Sequence, residues 1–165
     1  MLKRIEHDHP NKVQMRSFRT LIVDEDESAR KGLISVLRDR NEIKIIGECA
    51  NGAEATQLIT SQKPDLVFME IEMPEITGFD VVERITTDHR PLIVFTSSHP
   101  EFAAEAFEFE ALDYIQKPFM GKRIKKTLDR LAHRLGNGIA EVAKENIGTL
   151  FQDEKTKPLE RFIIK

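Results

Sequence analysis

The sequence predicts an α/β protein in which one five-stranded parallel sheet is covered by helices on both faces. Five short apolar runs rich in β-forming residues alternate with five segments of helical periodicity. The connections between them are short, and strand–helix–strand units of this kind place successive strands parallel. The third run, residues 65–70, is apolar without alternation, which indicates a strand buried on both faces.

The periodic segments give the order of the elements. The five strands are expected at residues 19–24, 43–50, 65–70, 91–96 and 112–116, and the five helices at 28–39, 51–62, 78–85, 101–110 and 124–135. In the fifth helix, for example, Ile124, Leu128, Leu131 and Leu135 recur on one face. Right-handed crossovers and five units favour a doubly wound, flavodoxin-like sheet with strand order 2-1-3-4-5. The ligand crevice of such a sheet lies beyond the C-terminal ends of its first and third strands.

The chain of 165 residues divides into three parts. Residues 1–17 are polar and without periodicity, which predicts a mobile N-terminal tail, and residues 18–135 form the α/β domain. The Gly-Asn-Gly segment at 136–138 is expected to end the fifth helix, and 139–150 predicts one more amphipathic helix. Residues 136–165 are therefore interpreted as a helical linker and the start of a C-terminal domain that is absent from this sequence.

Composition excludes several classes of protein. A net charge of −3 and a pI near 6.0 argue against a general affinity for nucleic acid or anionic membranes. The single cysteine, Cys49, excludes an intramolecular disulfide and fits a reducing cytoplasm. No apolar stretch approaches the roughly 20 residues that a membrane helix needs. We therefore expect a soluble, cytoplasmic protein without membrane contact.

Polar side chains from four strands are expected at the same edge of the sheet. Asp24 and Glu25 follow the first strand, Glu70 ends the third, Thr96 ends the fourth and Lys117 follows the fifth. Taken singly, an acidic pair after a strand is most often a charge cluster at a helix N-terminus. Taken together, converging carboxylates repel one another unless a cation intervenes, which favours Mg²⁺ bound by oxygen ligands. The lysine suits a phosphoryl oxygen or a carboxylate, and the threonine offers a hydroxyl donor.

These stretches resemble the receiver domain of two-component response regulators. The resemblance is carried by LIVDEDESAR, PDLVFMEIEMPEITGFD, IVFTSS and ALDYIQKPF, and it covers residues 18–135. It implies the CheY-like form of the predicted fold, a role in phosphorelay signal transduction and no enzymatic activity. The segment AFEFEALDYIQKPF resembles the LytTR (LytR/AlgR-like) branch, whose members carry a C-terminal DNA-binding domain. PLERFIIK resembles the lead-in to that domain, so the resemblance also implies transcription regulation through an absent effector domain.

Matched residue by residue, the resemblance gives seven positions a role. They are the Mg²⁺-binding pair Asp24 and Glu25, the phosphoacceptor position Glu70, which is also a metal ligand, Glu72 whose backbone carbonyl completes the metal shell, the switch hydroxyl Thr96, the aromatic switch Tyr114 and the phosphate-binding Lys117. In the family, the phosphoacceptor is an aspartate that attacks the phosphohistidine of a sensor histidine kinase. Mg²⁺ and the lysine neutralise the developing charge. This chain has a glutamate at that position.

The glutamate puts phosphotransfer in question. Its extra carbon–carbon bond displaces the carboxylate by up to about 1.5 Å, and a misplacement of about 1 Å can cost roughly 10²-fold in rate. We therefore expect phosphorylation to be slow or absent and Mg²⁺ binding to be weak or lost.

Three interpretations of the domain stay open. Glu70 partly imitates phosphoaspartate by pairing with Lys117 and Thr96, or the domain is a degenerate receiver used as a phosphorylation-independent dimerisation or partner-binding module. In the third, a competent receiver uses this glutamate or a neighbouring carboxylate.

The charges on the last two helices suggest a partner surface. Acidic residues lie on the fourth helix (Glu101, Glu105, Glu108, Glu110) and basic residues on the fifth (Lys122, Arg123, Lys125, Lys126, Arg130). The simpler interpretation is two solvated faces. The functional one is a homodimer through helix 4, strand 5 and helix 5, which resembles the family's active dimers and pairs opposite charges across a two-fold axis.

DNA binding by the basic fifth helix is a rival function, but the acidic fourth helix beside it argues against it. A flavodoxin-type cofactor site is disfavoured because DEDES would repel phosphate.

Overall fold

The computed structural model describes the backbone of residues 17–148 and the side chains of residues 17–134. Its strands are β1 (Phe18–Val23), β2 (Ile43–Cys49), β3 (Leu66–Glu70), β4 (Leu92–Ser97) and β5 (Asp113–Gln116). Its helices are α1 (Glu27–Leu37), α2 (Gly52–Gln62), α3 (Gly78–Glu83), α4 (Ala103–Glu108) and α5 (Gly121–Gly148), with a 3₁₀ turn at Pro100–Phe102. Strands and helices therefore alternate along the chain.

The five strands form one parallel sheet in the order β2-β1-β3-β4-β5, which confirms the predicted fold class. Val23 pairs with Met69, and Glu70 pairs with Thr96, so these strands end at a common edge of the sheet. Asp24 is the first residue beyond β1 and lies at the same edge. The register of the sheet alone thus brings together groups that are far apart in sequence.

Two apolar layers enclose the sheet. Side chains of β1, β3 and β4 pack on one face with α2, α3 and α4, and on the other face with α1 and α5. In β3, Val67 and Met69 belong to the first layer and Leu66 and Phe68 to the second, and all four are almost completely buried. Burying one such side chain contributes roughly 1.5–3 kcal/mol. Glu70 therefore emerges from a rigid strand in the middle of the sheet.

The start of α3 lies against the end of β3. The Gly78 N–H donates to the Ile71 carbonyl at 2.8 Å, and a Cβ at position 78 would lie only 2.4 Å from the carbonyl oxygen of Glu70. Any side chain at this position would push the loop away from the strand. Thr77 and Asp80 then cap the helix through a reciprocal capping box. This close approach fixes the backbone that carries Glu70.

Most element boundaries differ from the sequence predictions by one to three residues, and the differences in the third, fourth and fifth helices matter most. The fourth helix is preceded by the 3₁₀ turn and ends at Glu108, and α3 ends at Glu83, before Ile85. The predicted break at 136–138 is wrong, because α5 runs from Gly121 to Gly148 without interruption. Glycine costs a helix interior roughly 1 kcal/mol relative to alanine, yet it keeps its N–H donor, so it weakens a helix without ending it.

The division of the chain at 17/18 and at 135/136 stays a prediction. The greater part of the expected N-terminal tail, residues 1–16, lies outside the described residues, and so do residues 149–165 of the expected linker and C-terminal domain.

Within residues 17–148, no helix is long and apolar enough to cross a membrane.

Candidate functional site

Lys117 lies between two buried carboxylates at the C-terminal edge of the sheet. Its Nζ donates a hydrogen bond to Glu70 Oε1 at 2.8 Å and lies 2.6 Å from Asp24 Oδ2. The Asp24 and Glu70 side chains are 4% and 9% exposed, and that of Lys117 is 14% exposed. One ammonium group is thus the counter-ion of two carboxylates in a site from which water is mostly excluded.

Backbone amides of the β1–α1 loop hold the other carboxylate oxygens. The Glu25 N–H donates to Glu70 Oε2 and the Asp26 N–H donates to Asp24 Oδ1, each at 2.9 Å. In the described part of the chain, the buried Asp24 Oδ2 accepts no well-aligned hydrogen bond, although Lys117 Nζ is close to it. Coulomb attraction needs no alignment, so the short distance decides that this contact is an ion pair.

The burial of two carboxylates with one ammonium shifts the pKa values of the site. Burial raises the pKa of Glu70 to about 7, and the hydrogen bond from Lys117 offsets only part of this. Asp24 raises the pKa of Glu70 further, because two neighbouring carboxylates repel one another. Burial lowers the pKa of Lys117, but its contacts with Asp24 and Glu70 raise it more, so the pKa lies above its ordinary value. The ammonium therefore stays protonated at neutral pH.

The raised pKa of Glu70 predicts a pH-dependent stability. Between pH 4.5 and about 7, the folded protein holds a proton that the unfolded chain has released. The free energy of unfolding should therefore fall as the pH rises through this window. In Glu70→Gln the decline should be smaller by about 2–3 kcal/mol, because a neutral amide has no proton to release. Urea unfolding of both proteins at the two ends of the window measures this. An equal change in the free energy of unfolding of the two proteins across this window would contradict the prediction.

The two expected switch residues, Thr96 and Tyr114, make no hydrogen bond to the ion pair among the described residues. Thr96 is buried on β4 beside Glu70, and its backbone carbonyl accepts a hydrogen bond from the Ile71 N–H at 3.0 Å. No hydrogen bond from the Thr96 hydroxyl to Glu70 occurs among the described residues, in contrast to the expected pairing. The Tyr114 hydroxyl donates to the backbone carbonyl of His99, in the loop between β4 and α4.

The other two residues of the expected metal set lie outside the ion pair. The Glu25 and Glu72 side chains are exposed, and Glu72 contacts His99. Within residues 17–134, no group of three or more His, Cys, Asp or Glu side chains is arranged to hold a metal ion. The buried donors do not fit Mg²⁺ in this arrangement, because the Lys117 ammonium occupies the position between them. Metal binding at this site stays a prediction.

Acidic groups and a lysine at the strand ends of a β2-β1-β3-β4-β5 sheet are the arrangement that the resemblance implied. A family model described as "Response regulator receiver domain" matches residues 20–129. The chain belongs to this family. Receiver domains of response regulators act in two-component signalling, in which they work with histidine kinases and an effector domain.

Curated relatives of this receiver domain include transcriptional regulators. The chain is 40% identical over 129 residues to the "Transcriptional regulatory protein BtsR" of Salmonella typhi, which covers 78% of this chain and 54% of that protein. It is 44% identical over 111 residues to an uncharacterized response regulatory protein of Shewanella oneidensis, covering 67% of this chain and 47% of that one. The chain thus spans about half the length of the curated relatives it matches.

Solved receiver structures share the fold. The response regulatory domain of mrkE from Klebsiella pneumoniae is 30% identical with a TM-score of 0.66, and the match covers 72% of this chain and 98% of that one. The receiver domain of the putative regulator NarL from Mycobacterium tuberculosis is 24% identical with a TM-score of 0.63, and covers 69% and 95%. At that identity, the second match supports the fold alone.

The receiver domain contains a third buried carboxylate, Asp113, which the sequence analysis missed. Asp113 on β5 is 1% exposed and accepts two hydrogen bonds from Arg123 at 2.7 Å, one from Thr127 at 2.8 Å and one from Arg130 at 2.9 Å. Burial raises the pKa of Asp113, but the hydrogen bonds from Arg123 and Thr127 lower it more, so the pKa lies below its ordinary value. Arg123 also donates to the Tyr114 carbonyl at 2.7 Å. This network fastens α5 to β5.

Two further residues near the site were also missed. Arg30 on α1 donates to the Asp24 carbonyl at 2.6 Å and lies 3.6 Å from Glu48 of β2, so it braces the backbone of the acidic loop. His99 lies in the loop after β4 and contacts two carboxylates. The sequence offered a signal for two of these three residues. Asp113 is a charged residue inside the predicted strand LDYIQ, and His99 directly follows TSS. Arg30 gave no comparable signal, because it reads as part of a solvated helix face.

Proposed function

We propose that this receiver domain controls an attached DNA-binding domain without being phosphorylated, with Glu70 in the place of the phosphoacceptor aspartate. The observation that carries the proposal is the double contact of the Glu70 carboxylate. One oxygen accepts from Lys117 Nζ at 2.8 Å, and the other accepts from the Glu25 N–H at 2.9 Å. A nucleophile whose oxygens are both engaged in this way is poorly placed to attack a phosphorus atom.

The Glu70 carboxylate imitates a phosphoaspartate in part. It is buried at the end of β3, and Lys117, the residue expected to bind phosphate, is its counter-ion. A carboxylate carries one negative charge, whereas a phosphoryl group adds about −1.5 to −2. The expected Thr96 contact is also missing among the described residues. We therefore propose a bias toward the signalling conformation that is weaker than full phosphorylation would produce.

Mg²⁺ has a small part in this proposal. In the family the metal neutralises the charge that develops during phosphotransfer, and the residues that would contribute to its binding here are Asp24, Glu25, Glu70 and Glu72. With Lys117 already paired to the buried Asp24, we propose that Mg²⁺ affinity is low or lost. Receiver domains of transcriptional regulators are typically non-enzymatic, and we propose no catalytic residue for this chain.

The proposed effector is a DNA-binding domain of the LytTR (LytR/AlgR-like) branch that starts within residues 136–165 and continues in the whole protein. The transcriptional regulators among its relatives support this, since the chain spans only about half of their length. A sensor histidine kinase remains a candidate partner, and the cytoplasm, where such kinases transfer phosphoryl groups, is the proposed location. DNA contact would come through the absent domain alone.

The proposed dimer surface consists of α4, β5 and α5. Three exposed lysines of α5, Lys122, Lys125 and Lys126, would face the acidic α4 of a second copy. Arg123 and Arg130 are already engaged by Asp113 of their own chain, so they contribute less to this pairing. Exposed ion pairs contribute little affinity, and these charges would mainly select the partner and its register.

The oligomeric state tests whether Glu70 acts as a mimic. We expect the wild-type chain to dimerise and Glu70→Gln to dimerise on the order of tenfold more weakly, because the amide cannot pair as an anion with Lys117. Glu70→Asp should be monomeric until acetyl phosphate and Mg²⁺ are added. Sedimentation velocity over a concentration series measures this. Equal dimerisation of all three proteins would contradict mimicry and favour the alternative function, a degenerate receiver that is a phosphorylation-independent dimerisation or partner-binding module.

A further inference from the structure

His99 lies where three segments of the receiver domain meet. Its backbone N–H donates to Ser97 Oγ at 3.0 Å, which closes the turn directly after β4. Its backbone carbonyl accepts the hydrogen bond from the Tyr114 hydroxyl, which comes from β5. Through its main chain alone, His99 thus joins the β4–α4 loop to the neighbouring strand.

Two carboxylates and an aromatic ring hold the side chain of His99. Its Nε2 lies 3.2 Å from Glu72 Oε2, and its Nδ1 lies 3.5 Å from Glu101 Oε1. The Phe102 ring is edge-on to the imidazole, with 6.4 Å between the ring centroids. Glu72 comes two residues after Glu70, so one of these contacts leads directly to the loop of the candidate site.

We infer that His99 is a positioning residue whose ring, held between Glu72 and Glu101, places the carbonyl that receives the Tyr114 hydroxyl. The contact connects the β3–α3 loop beside Glu70 to β5, a route that passes through neither Thr96 nor the Lys117 ion pair. It goes beyond the proposed function, because it does not depend on whether Glu70 accepts a phosphoryl group.

The exposure of these side chains sets the size of the expected effect. The His99, Glu72 and Glu101 side chains are 51%, 45% and 66% exposed, so water screens each contact and none contributes much to global stability. A side chain with two positions responds to small differences in free energy between them, however. Losing these contacts should change the ratio of Tyr114 bonded to the His99 carbonyl to Tyr114 released from it by about 2- to 5-fold. Tyr114 lies on β5, within the proposed dimer surface, so this ratio would govern the shape of that surface.

Tyr114 is the only tyrosine of the chain, which has no tryptophan, so intrinsic emission reports on this ring alone. The experiment measures acrylamide quenching of tyrosine emission in the whole chain. His99→Ala keeps the backbone carbonyl but removes the ring, and it should raise the quenching constant at least about twofold. Glu72→Ala with Glu101→Ala keeps the histidine and removes both carboxylates, and it should also raise the quenching constant.

Glu83→Ala is the matched control, because it removes one exposed carboxylate from α3, outside the proposed dimer surface, and should leave the quenching constant at the wild-type value. Urea unfolding separates positioning from a general structural role: the alanine pair should change quenching while the free energy of unfolding stays near wild type. If His99→Ala fails to fold, the alanine pair decides. A wild-type quenching constant in the alanine pair would overturn the inference, because Tyr114 would then be held without the contacts of the two carboxylates with the ring.

Discussion

Above about pH 7, where the Glu70 carboxyl is ionised, Lys117→Met should lower the free energy of unfolding by roughly 3–5 kcal/mol, because it leaves two buried carboxylates without their counter-ion. Asp24 Oδ2 and Glu70 Oε1 both lie within 2.8 Å of Lys117 Nζ, and both side chains are less than a tenth exposed. Methionine has a similar length and fills the same space, so the loss reports on charge and not on packing. Urea denaturation followed by far-UV circular dichroism measures it.

A double variant and a control make this result specific to the ion pair. Lys117→Met combined with Glu70→Gln should recover part of the loss, since only one buried charge is then unpaired. Lys122→Met, at an exposed position on α5, should stay within about 0.5 kcal/mol of wild type. If Lys117→Met were as stable as Lys122→Met, the two carboxylates would not depend on the lysine, and the described site would be wrong.

Asp113→Ala should destabilise the domain by a comparable amount, about 3–5 kcal/mol. Asp113 is 1% exposed and accepts hydrogen bonds from Arg123, Thr127 and Arg130, so its removal takes the charged partner from the partly buried Arg123 and an acceptor from the buried Thr127. Part of the loss will be relieved where Arg123 reaches water, since its side chain is 32% exposed. Chemical denaturation of the whole chain is the measurement.

The pH dependence of stability and a control at the exposed Asp129 test the role of Asp113. The pKa of Asp113 lies below its ordinary value, so the stability it contributes is present above that value and is lost as the pH falls further. The difference in the free energy of unfolding between wild type and Asp113→Ala should therefore become smaller in acid. Asp129→Ala, at an exposed position of α5, should cost less than about 0.5 kcal/mol. A similar small cost for Asp113→Ala would show that α5 is fastened by its apolar contacts alone.

The sequence predicts the fold and the meeting of the site residues for the same reason. Apolar periodicity identifies five strands and five helices, and the C-terminal ends of parallel strands lie at one edge, so Asp24, Glu70 and Lys117 had to approach one another. Which atoms touch could not be predicted. Whether Lys117 pairs with Glu70, and whether Thr96 joins them, depends on side-chain reach over about 1 Å, which periodicity does not record.

Other features depend on contacts that no local pattern contains. Asp113 finds its arginines 10 and 17 residues away on α5, and only the packing of that helix on the sheet brings them together. The continuation of α5 through residues 136–138 was missed for the opposite reason, because a local glycine signal was given too much weight. A glycine penalty is small compared with the other determinants of helix length.

Phosphorylation is the most direct test of the claim that Glu70 is held by Lys117 and does not accept a phosphoryl group. The wild-type chain and Glu70→Asp are incubated with acetyl phosphate and Mg²⁺, and intact mass is recorded. We expect the wild-type mass to stay unchanged and Glu70→Asp to gain about 80 Da, the mass of one phosphoryl group. An adduct of about 80 Da on the wild-type chain, located on Glu70 by fragmentation, would contradict the account.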